Sequence, residues 1–160
     1  MAVDFIDYRA AEHYAHCLEL FDENCPAYFA NNERQDYIKF LDSQPSQYKV
    51  GLFNRSQEEG RIVSGFGLIF DQDNNSRIDN RGRLSWILVA PYAHSQGVGS
   101  AMMELAMNTA TKESLLAIDI AASHLSAPFF TKFGASTLSE TPNGWGQGMH
   151  KVDMEIVLED

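Results

Sequence analysis

The sequence predicts an α/β domain built on a mixed sheet, and three features of the chain predict it. Period-two and helical apolar patterns alternate along the chain instead of segregating into halves. Two apolar runs, "RLSWILVA" and "LLAIDIAA", read as strands buried on both faces, with a helical segment between them. The length of 160 residues suits one substantial core, so residues 1–160 are expected to form a single domain.

The elements follow in order. "VDFIDYRA" alternates from Val3 to Tyr8 and predicts a first strand. Tyr14, Cys17, Leu18 and Phe21 recur at helical spacing, and Pro26 stops that helix. A second helix is predicted near Asn32 to Leu41 from Tyr37, Ile38 and Leu41. Asn31 or Asn32 is its expected cap, and acidic Glu33 in its first turn suits the helix dipole. "QYKVGLFN" and "RIVSGFGLIF" flank the polar turn "NRSQEEG" and predict a hairpin; "DQDNNSRIDNRG" reads as a surface loop. The strand "RLSWILVA" ends at Pro91, a helix runs to about Lys112, and "LLAIDIAA" follows. "SAPFFTKFG" predicts a short helix with Ser126 as cap, Pro128 in its first turn and Gly134 after its end. The tail "STLSETPNGWGQGMHKVDMEIVLE" predicts two strands around a glycine-rich loop, which could serve a substrate or simply connect a hairpin. The expected order is βααββββαβαββ, with no repeat and no interdomain linker.

Composition excludes several classes of function. A formal net charge of −10 argues against nucleic acid and anionic membrane surfaces, both of which select cationic proteins. Between Met1 and Phe40 eight acids face only Arg9, Arg34 and Lys39; this acidic stretch reads as a solvated helix surface, or as an attractor of cationic substrates. No apolar run approaches the roughly 18–20 residues that span a bilayer. The N-terminal segment lacks the basic and apolar regions of a signal peptide. Two cysteines are too few for a disulfide framework, and a cytoplasmic protein is expected. His13, His16, Cys17 and Cys25 match no common zinc spacing, so no metal site is expected.

The chemistry concentrates in "PYAHSQGVGSAMMELAM", where a turn with two glycines precedes a helix with an apolar face at Val98, Met102 and Leu105. The first N–H groups of a helix have no partners inside it and carry partial positive charge. Glycines let an anion approach that backbone, so this arrangement suits phosphate or pyrophosphate. A P-loop would need Lys-Ser or Lys-Thr after the glycines, and neither is present. The dinucleotide fingerprint would need a small residue where Met102 stands, although Asp119 could imitate its ribose-binding acid.

"HSQGVGSAMMELAM" resembles the acyl-CoA pyrophosphate loop of the GNAT superfamily of N-acetyltransferases, with Gly97 and Gly99 at its glycine positions. "SHLSAPFFTKFGA" resembles that family's second signature at Ser126, Phe129, Lys132 and Gly134, with Ser126 replacing a small alanine. Together the two cover roughly Leu84 to Ala135. The resemblance implies a GNAT-like fold, a mixed but mostly antiparallel sheet of about six or seven strands flanked by about four helices. It implies acetyl-CoA as co-substrate, without a metal, and transfer of the acetyl group to a primary amine of a small molecule or peptide. A homodimer is compatible with it.

The resemblance also assigns residues. Pantetheine would lie along Leu88, Val89 and Ala90, with an oxyanion donor at Leu88 or Val89. The pyrophosphate would rest on the amides of Gln96, Gly97, Val98, Gly99 and Ser100, beside His94 and Ser95. Ser123, Phe129 and Phe130 would complete the coenzyme site. Three positions depart from the family. His94 replaces the usual Gln or Arg, Ser123 stands where many members carry Asn, and Phe130 stands where a Tyr commonly protonates the departing thiolate. Tyr92 or Tyr28 could replace that acid. The base is open: Ser85, beside Arg83, His150, and carboxylates at Asp22, Glu23, Asp36 or Asp71 are candidates. The alternative is a catalytically weak module that binds acyl-CoA as a sensor.

Overall fold

The computed structural model describes residues 3–53, 61–73 and 79–158. Seven strands and four helices follow in the order β1 (Val3–Asp7), α1 (Ala10–Asn24), α2 (Glu33–Asp42), β2 (Tyr48–Phe53), β3 (Ser64–Ile69), β4 (Arg81–Val89), α3 (Val98–Lys112), β5 (Ala117–Ser123), α4 (Ala127–Thr131), β6 (Ser136–Gly146) and β7 (Met149–Val157). Three strands, not four, separate α2 from α3: the described part of the loop before β4 contributes none, and Arg81 and Gly82 belong to β4 itself. The "NRSQEEG" turn lies outside the described residues.

The strands form one mixed sheet in the order β1-β2-β3-β4-β5-β7-β6. Only β4 and β5 run parallel among these pairs, because α3 carries the chain back across the sheet between them. Two apolar clusters cover its faces. On one, Cys17, Leu20 and Phe21 of α1 and Tyr37 and Leu41 of α2 pack on Tyr48, Val50 and Leu88. On the other, Met102, Met103, Ala106 and Ala110 of α3 and Phe130 of α4 pack on Leu84, Ile118, Ile120 and Met154. The buried face of α3 is thus finished by alanines, while Leu105 is only half-buried.

Several helix ends depart from the expected caps because side chains serve tertiary contacts. Asn32 makes no capping bond; its amide donates to Trp145 O at 2.8 Å. Glu33 takes the capping task, accepting the Ala30 N–H at 2.8 Å. Ser126 likewise does not cap α4, and its hydroxyl accepts the Ser123 N–H at 3.1 Å. Gly134 after α4 has φ +94°, the left-handed conformation predicted there. The tail differs most. Instead of a long loop, β6 continues to Gly146 and turns at Gln147 and Gly148. The Trp145 indole N–H donates to Ala122 O at 2.9 Å and draws the hairpin across β5.

Candidate active site

Leu84 and Leu88 lie four residues apart on one strand, yet they belong to opposite clusters. Regular alternation would put them on the same face, so an extra residue must intervene. The β3–β4 register supplies it: Gly65 pairs with Leu88 and Gly67 with Ser85, so Phe66 alone opposes Trp86 and Ile87. Trp86 absorbs this bulge at φ +51°, a left-handed conformation costly for a bulky residue.

Its surroundings hold it there. The Trp86 ring packs against Tyr37 at 5.0 Å, Phe29 at 6.3 Å and Phe40 at 6.4 Å between centroids. The Tyr48 hydroxyl donates to Trp86 O at 2.7 Å and lies 3.0 Å from the Tyr37 hydroxyl. Room for Tyr48 comes from β3, where a Cβ at Gly65 would stand 2.6 Å from its hydroxyl oxygen.

The bulge turns β4 away from β5. Their pairing runs from Arg81↔Ala117 to Leu84↔Ile120 and stops, although both strands continue. Arg81 closes the paired end by gripping Asp119 at 2.6 Å and Glu155 at 2.5 Å. Beyond Leu84 a cavity of about 600 Å³ opens, with Ser85 to Ile87 and Val89 on one wall and Ala121 to Ser123 on the other. Successive residues of a strand present their peptide groups to opposite edges. Ala90 N–H bonds Val63 O at 2.8 Å toward β3, so the peptide groups of Val89 face the split. His94 meets them: its Nε2 lies 3.0 Å from Val89 O, and a carbonyl can only accept, so Nε2 carries the proton. The Tyr28 ring packs edge-on against His94 at 5.1 Å.

At the far end of the split stands the start of α3. Gly97 has φ +78°, and open space lies in front of it. Gln96 N–H is already bonded to Ala93 O, and Ala101 N–H to Gly97 O. The N–H groups of Gly97, Val98, Gly99 and Ser100 between them lie where a helix supplies no acceptors. Gly99 lines the cavity, as do Ser123, Phe129 and Phe130. A Cβ at Gly99 would stand 3.0 Å from the Phe129 ring, so this glycine admits Phe129 as well as leaving backbone exposed. Leu88, Ala90 and Val98 are buried.

The opposite wall holds the group that sequence reasoning missed. Glu33 lines the cavity and is only 5% exposed. Burial pushes its carboxyl up to about 7, against the opposing effect of the Ala30 N–H bond, and nearby Asp36 adds to the rise. A carboxylate poised near neutrality can take and return a proton. In the sequence Glu33 is one acid among many; in the fold it is buried beside the place where the loop between α1 and α2 meets the hairpin, the Ala30 N–H bonding its carboxylate and the Asn32 amide bonding Trp145 O. A Cβ at Gly146 would stand 2.5 Å from Asn32 Oδ1 and 2.8 Å from Ala30 Cβ, so only glycine allows that approach.

The other candidates divide. Ser85 lines the cavity and accepts a hydrogen bond from Arg83 Nε at 3.1 Å. Tyr92 is exposed beneath Arg61, outside the cavity wall, whereas Tyr28 is on it. His150 also lies outside, its Nδ1 accepting the Asn143 N–H at 2.9 Å. Asp22 pairs with Arg34, and Glu23, Asp36 and Asp71 are exposed away from the wall. His13 Nδ1 accepts the Arg9 N–H at 2.9 Å, and Cys17 is buried, its thiol pushed up to about 11 by desolvation. Among the described residues no group of three or more His, Cys, Asp or Glu could hold a metal, and no helix is long and apolar enough to cross a membrane.

Comparison with known proteins agrees with this geometry. The chain superposes on solved structures over nearly its whole length at low sequence identity. One is the NatC complex bound to Gag peptide and CoA, with TM-score 0.76, 15% identity, and coverage of 99% of this chain and 100% of that one. Another is Ard1 from Thermoplasma volcanium, with TM-score 0.73, 13% identity and full coverage of both chains. A third is the ribosomal-protein-S18-alanine N-acetyltransferase from Escherichia coli, with TM-score 0.73, 11% identity and coverage of 99% and 96%. No curated protein matches the chain significantly in sequence. The profile of the acetyltransferase (GNAT) family matches residues 17–135, which include α2, the split strands and the α3 turn. This chain therefore belongs to the GNAT family of acetyltransferases.

Proposed function

We propose that the chain transfers the acetyl group of acetyl-CoA to a primary amine by direct attack on the thioester, with Glu33 as general base. The observation that carries this reading is the buried Glu33 carboxylate, pushed up to about 7 on the wall of the cavity that the β4–β5 split opens. Residues of the split fit the co-substrate. From Ser85 to Val89 β4 has no partner strand on the β5 side, which gives pantetheine a track to lie along as an added strand would, although the Val89 carbonyl is already taken by His94 and the Trp86 carbonyl by Tyr48. The N–H groups of Gly97 to Ser100 suit the pyrophosphate, while Gln96 N–H, already bonded to Ala93 O, does not contribute.

Each residue has a limited task. The Val89 N–H faces the split and donates to the thioester oxygen as charge develops there. Glu33 accepts a proton from the incoming ammonium and leaves a nucleophilic amine. Trp145, held over β5 by Ala122 O, and the aromatic group of Phe29, Phe40 and Trp86 exclude water from that exchange. Phe130 supplies no proton, and a thiolate of pKa about 8–9 departs without one.

The test measures acetyl-CoA affinity by calorimetry and thiol release over a panel of amines. Acceptor-dependent thiol release that falls with Glu33→Gln is the expected result. Micromolar acetyl-CoA binding with no thiol release from any amine would overturn the enzyme reading in favour of an acyl-CoA-binding module.

A further inference from the structure

The free edge of β4 ends in a contact that the chain makes with itself. The peptide between Val89 and Ala90 is trans, so with Ala90 N–H sent to Val63 O on β3, the Val89 carbonyl is turned to the split. His94 fills that place: its Nε2–H donates to Val89 O at 3.0 Å, and the residue lines the cavity. The contact is local. A tight turn over Pro91–Ala93 brings the chain round, with Ala93 N–H on Ala90 O and His94 N–H on Pro91 O. Tyr28 braces the imidazole edge-on at 5.1 Å, and its own N–H is tied to Asn24 O of α1 at 2.7 Å.

Sequence resemblance sets His94 beside the pyrophosphate. A neutral imidazole has a single donor, however, and here it is spent on Val89 O. The N–H groups of Gly97 to Ser100 offer an anion a site without any side chain. What His94 covers is the acceptor at which a pantetheine amide would join β4 as an added strand. Such a strand runs about 4.8 Å from its neighbour. A ring whose near atom lies 3.0 Å from Val89 O, on the split side, therefore stands in its path. His94 is exposed, so the ring can turn out to solvent without emptying the core.

We propose that His94 is a latch on the coenzyme track: in the free protein its imidazole takes the place of a pantetheine amide, and acetyl-CoA binds by displacing it from Val89 O. This rests on the coenzyme reading of the split and adds an opposing contact to it. No covalent bond is made or broken. The coenzyme has to break the His94 bond before it can pair with β4, so its affinity is lower than the bare edge would give.

Calorimetry with two probes separates this role from phosphate binding: CoA itself, and 3′-phospho-ADP, which carries the same diphosphate and no pantetheine. His94→Ala is expected to bind CoA roughly 2- to 10-fold more tightly than the parent, the worth of one neutral hydrogen bond, and to leave 3′-phospho-ADP unchanged. Nitrogen NMR of the parent's imidazoles gives a readout that needs no variant. The His94 Nε2–H resonance should move on addition of CoA and stay in place with 3′-phospho-ADP. CoA affinity that is unchanged or weaker in His94→Ala overturns the latch, and weakening with both probes assigns the ring to the phosphates instead. A His94 resonance that does not respond to CoA overturns it as well. A parent that binds no CoA fails the coenzyme reading and the latch together; a parent that binds CoA, with no gain in the variant, fails the latch alone.

Discussion

Glu33→Gln places the stability and the proposed chemistry of this protein in opposition. The substitution keeps the shape of the side chain and removes its charge. Moving a carboxyl from its ordinary 4.5 to about 7 disfavours the ionised native state by about 3 kcal/mol, at about 1.4 kcal/mol per pH unit. The native state holds the proton more tightly than the unfolded state. Its stability from this group is therefore complete below pH 4.5, falls as pH rises, and is lost above about 7. At pH 8 the glutamine variant avoids that loss and keeps an acceptor for the Ala30 N–H, although a weaker one. It should be more stable than the parent by up to about 3 kcal/mol, or on the order of 6–12 °C in Tm. At pH 4 the two should unfold alike. Activity should move the other way, with kcat/KM reduced on the order of 10²- to 10⁴-fold and the acid limb near pH 7 abolished. Calorimetric melts at both pH values and a pH–rate profile check each half. A variant no more stable at pH 8 than at pH 4, relative to the parent, would refute the buried-charge argument. A variant with full activity and the same acid limb would refute the role of Glu33 as base.

Three further outcomes follow from the split. Tyr48→Phe removes the donor to Trp86 O and the partner of the Tyr37 hydroxyl, so urea unfolding should show a loss of about 1–3 kcal/mol. Acetyl-CoA should bind more weakly as the bulge relaxes, and unchanged affinity would show that the bulge holds without this hydroxyl. Gly97→Val forces a β-branched residue to φ +78°, at a cost of about 1–2 kcal/mol, and should weaken acetyl-CoA binding at least about tenfold in a folded protein. Binding retained in full would remove the α3 turn from the coenzyme site. Phe130→Tyr restores the hydroxyl common in the family and should change kcat by less than about threefold, because the thiolate leaves unaided. A tenfold rise in stopped-flow turnover would show instead that its protonation limits the native enzyme.

Much of this was legible in the chain. Alternation from Val3, helical spacing through Tyr14 to Phe21, and the apolar runs around Ser85 and Ile118 each depend on neighbours within one element. The glycines at 97 and 99 before an apolar helix pointed to a bound phosphate through local backbone geometry, and coenzyme A entered only through the resemblance of that turn and the downstream "FFTKFG" to the GNAT signatures. What the sequence could not rank was the polar residues. Asp22, Glu23, Glu33 and Asp36 look equivalent because a carboxylate's pKa depends on solvent exclusion, and solvent is excluded by residues far away in the chain. Glu33 is buried beside the place where the loop between α1 and α2 meets the hairpin, at Gly146, which lacks a Cβ, and through the Asn32 amide on Trp145 O. Trp86 reads in sequence as one more strand residue, whereas its left-handed φ depends on Tyr48 from another strand and on space left by Gly65. Local patterning determined the elements and the glycine turn before α3, since both are written in residues that are near neighbours in the chain. Tertiary packing decided where β4 leaves β5, which acid loses its water, and that Asp119 turns to Arg81, because desolvation and ion pairing act between residues that only the fold brings together.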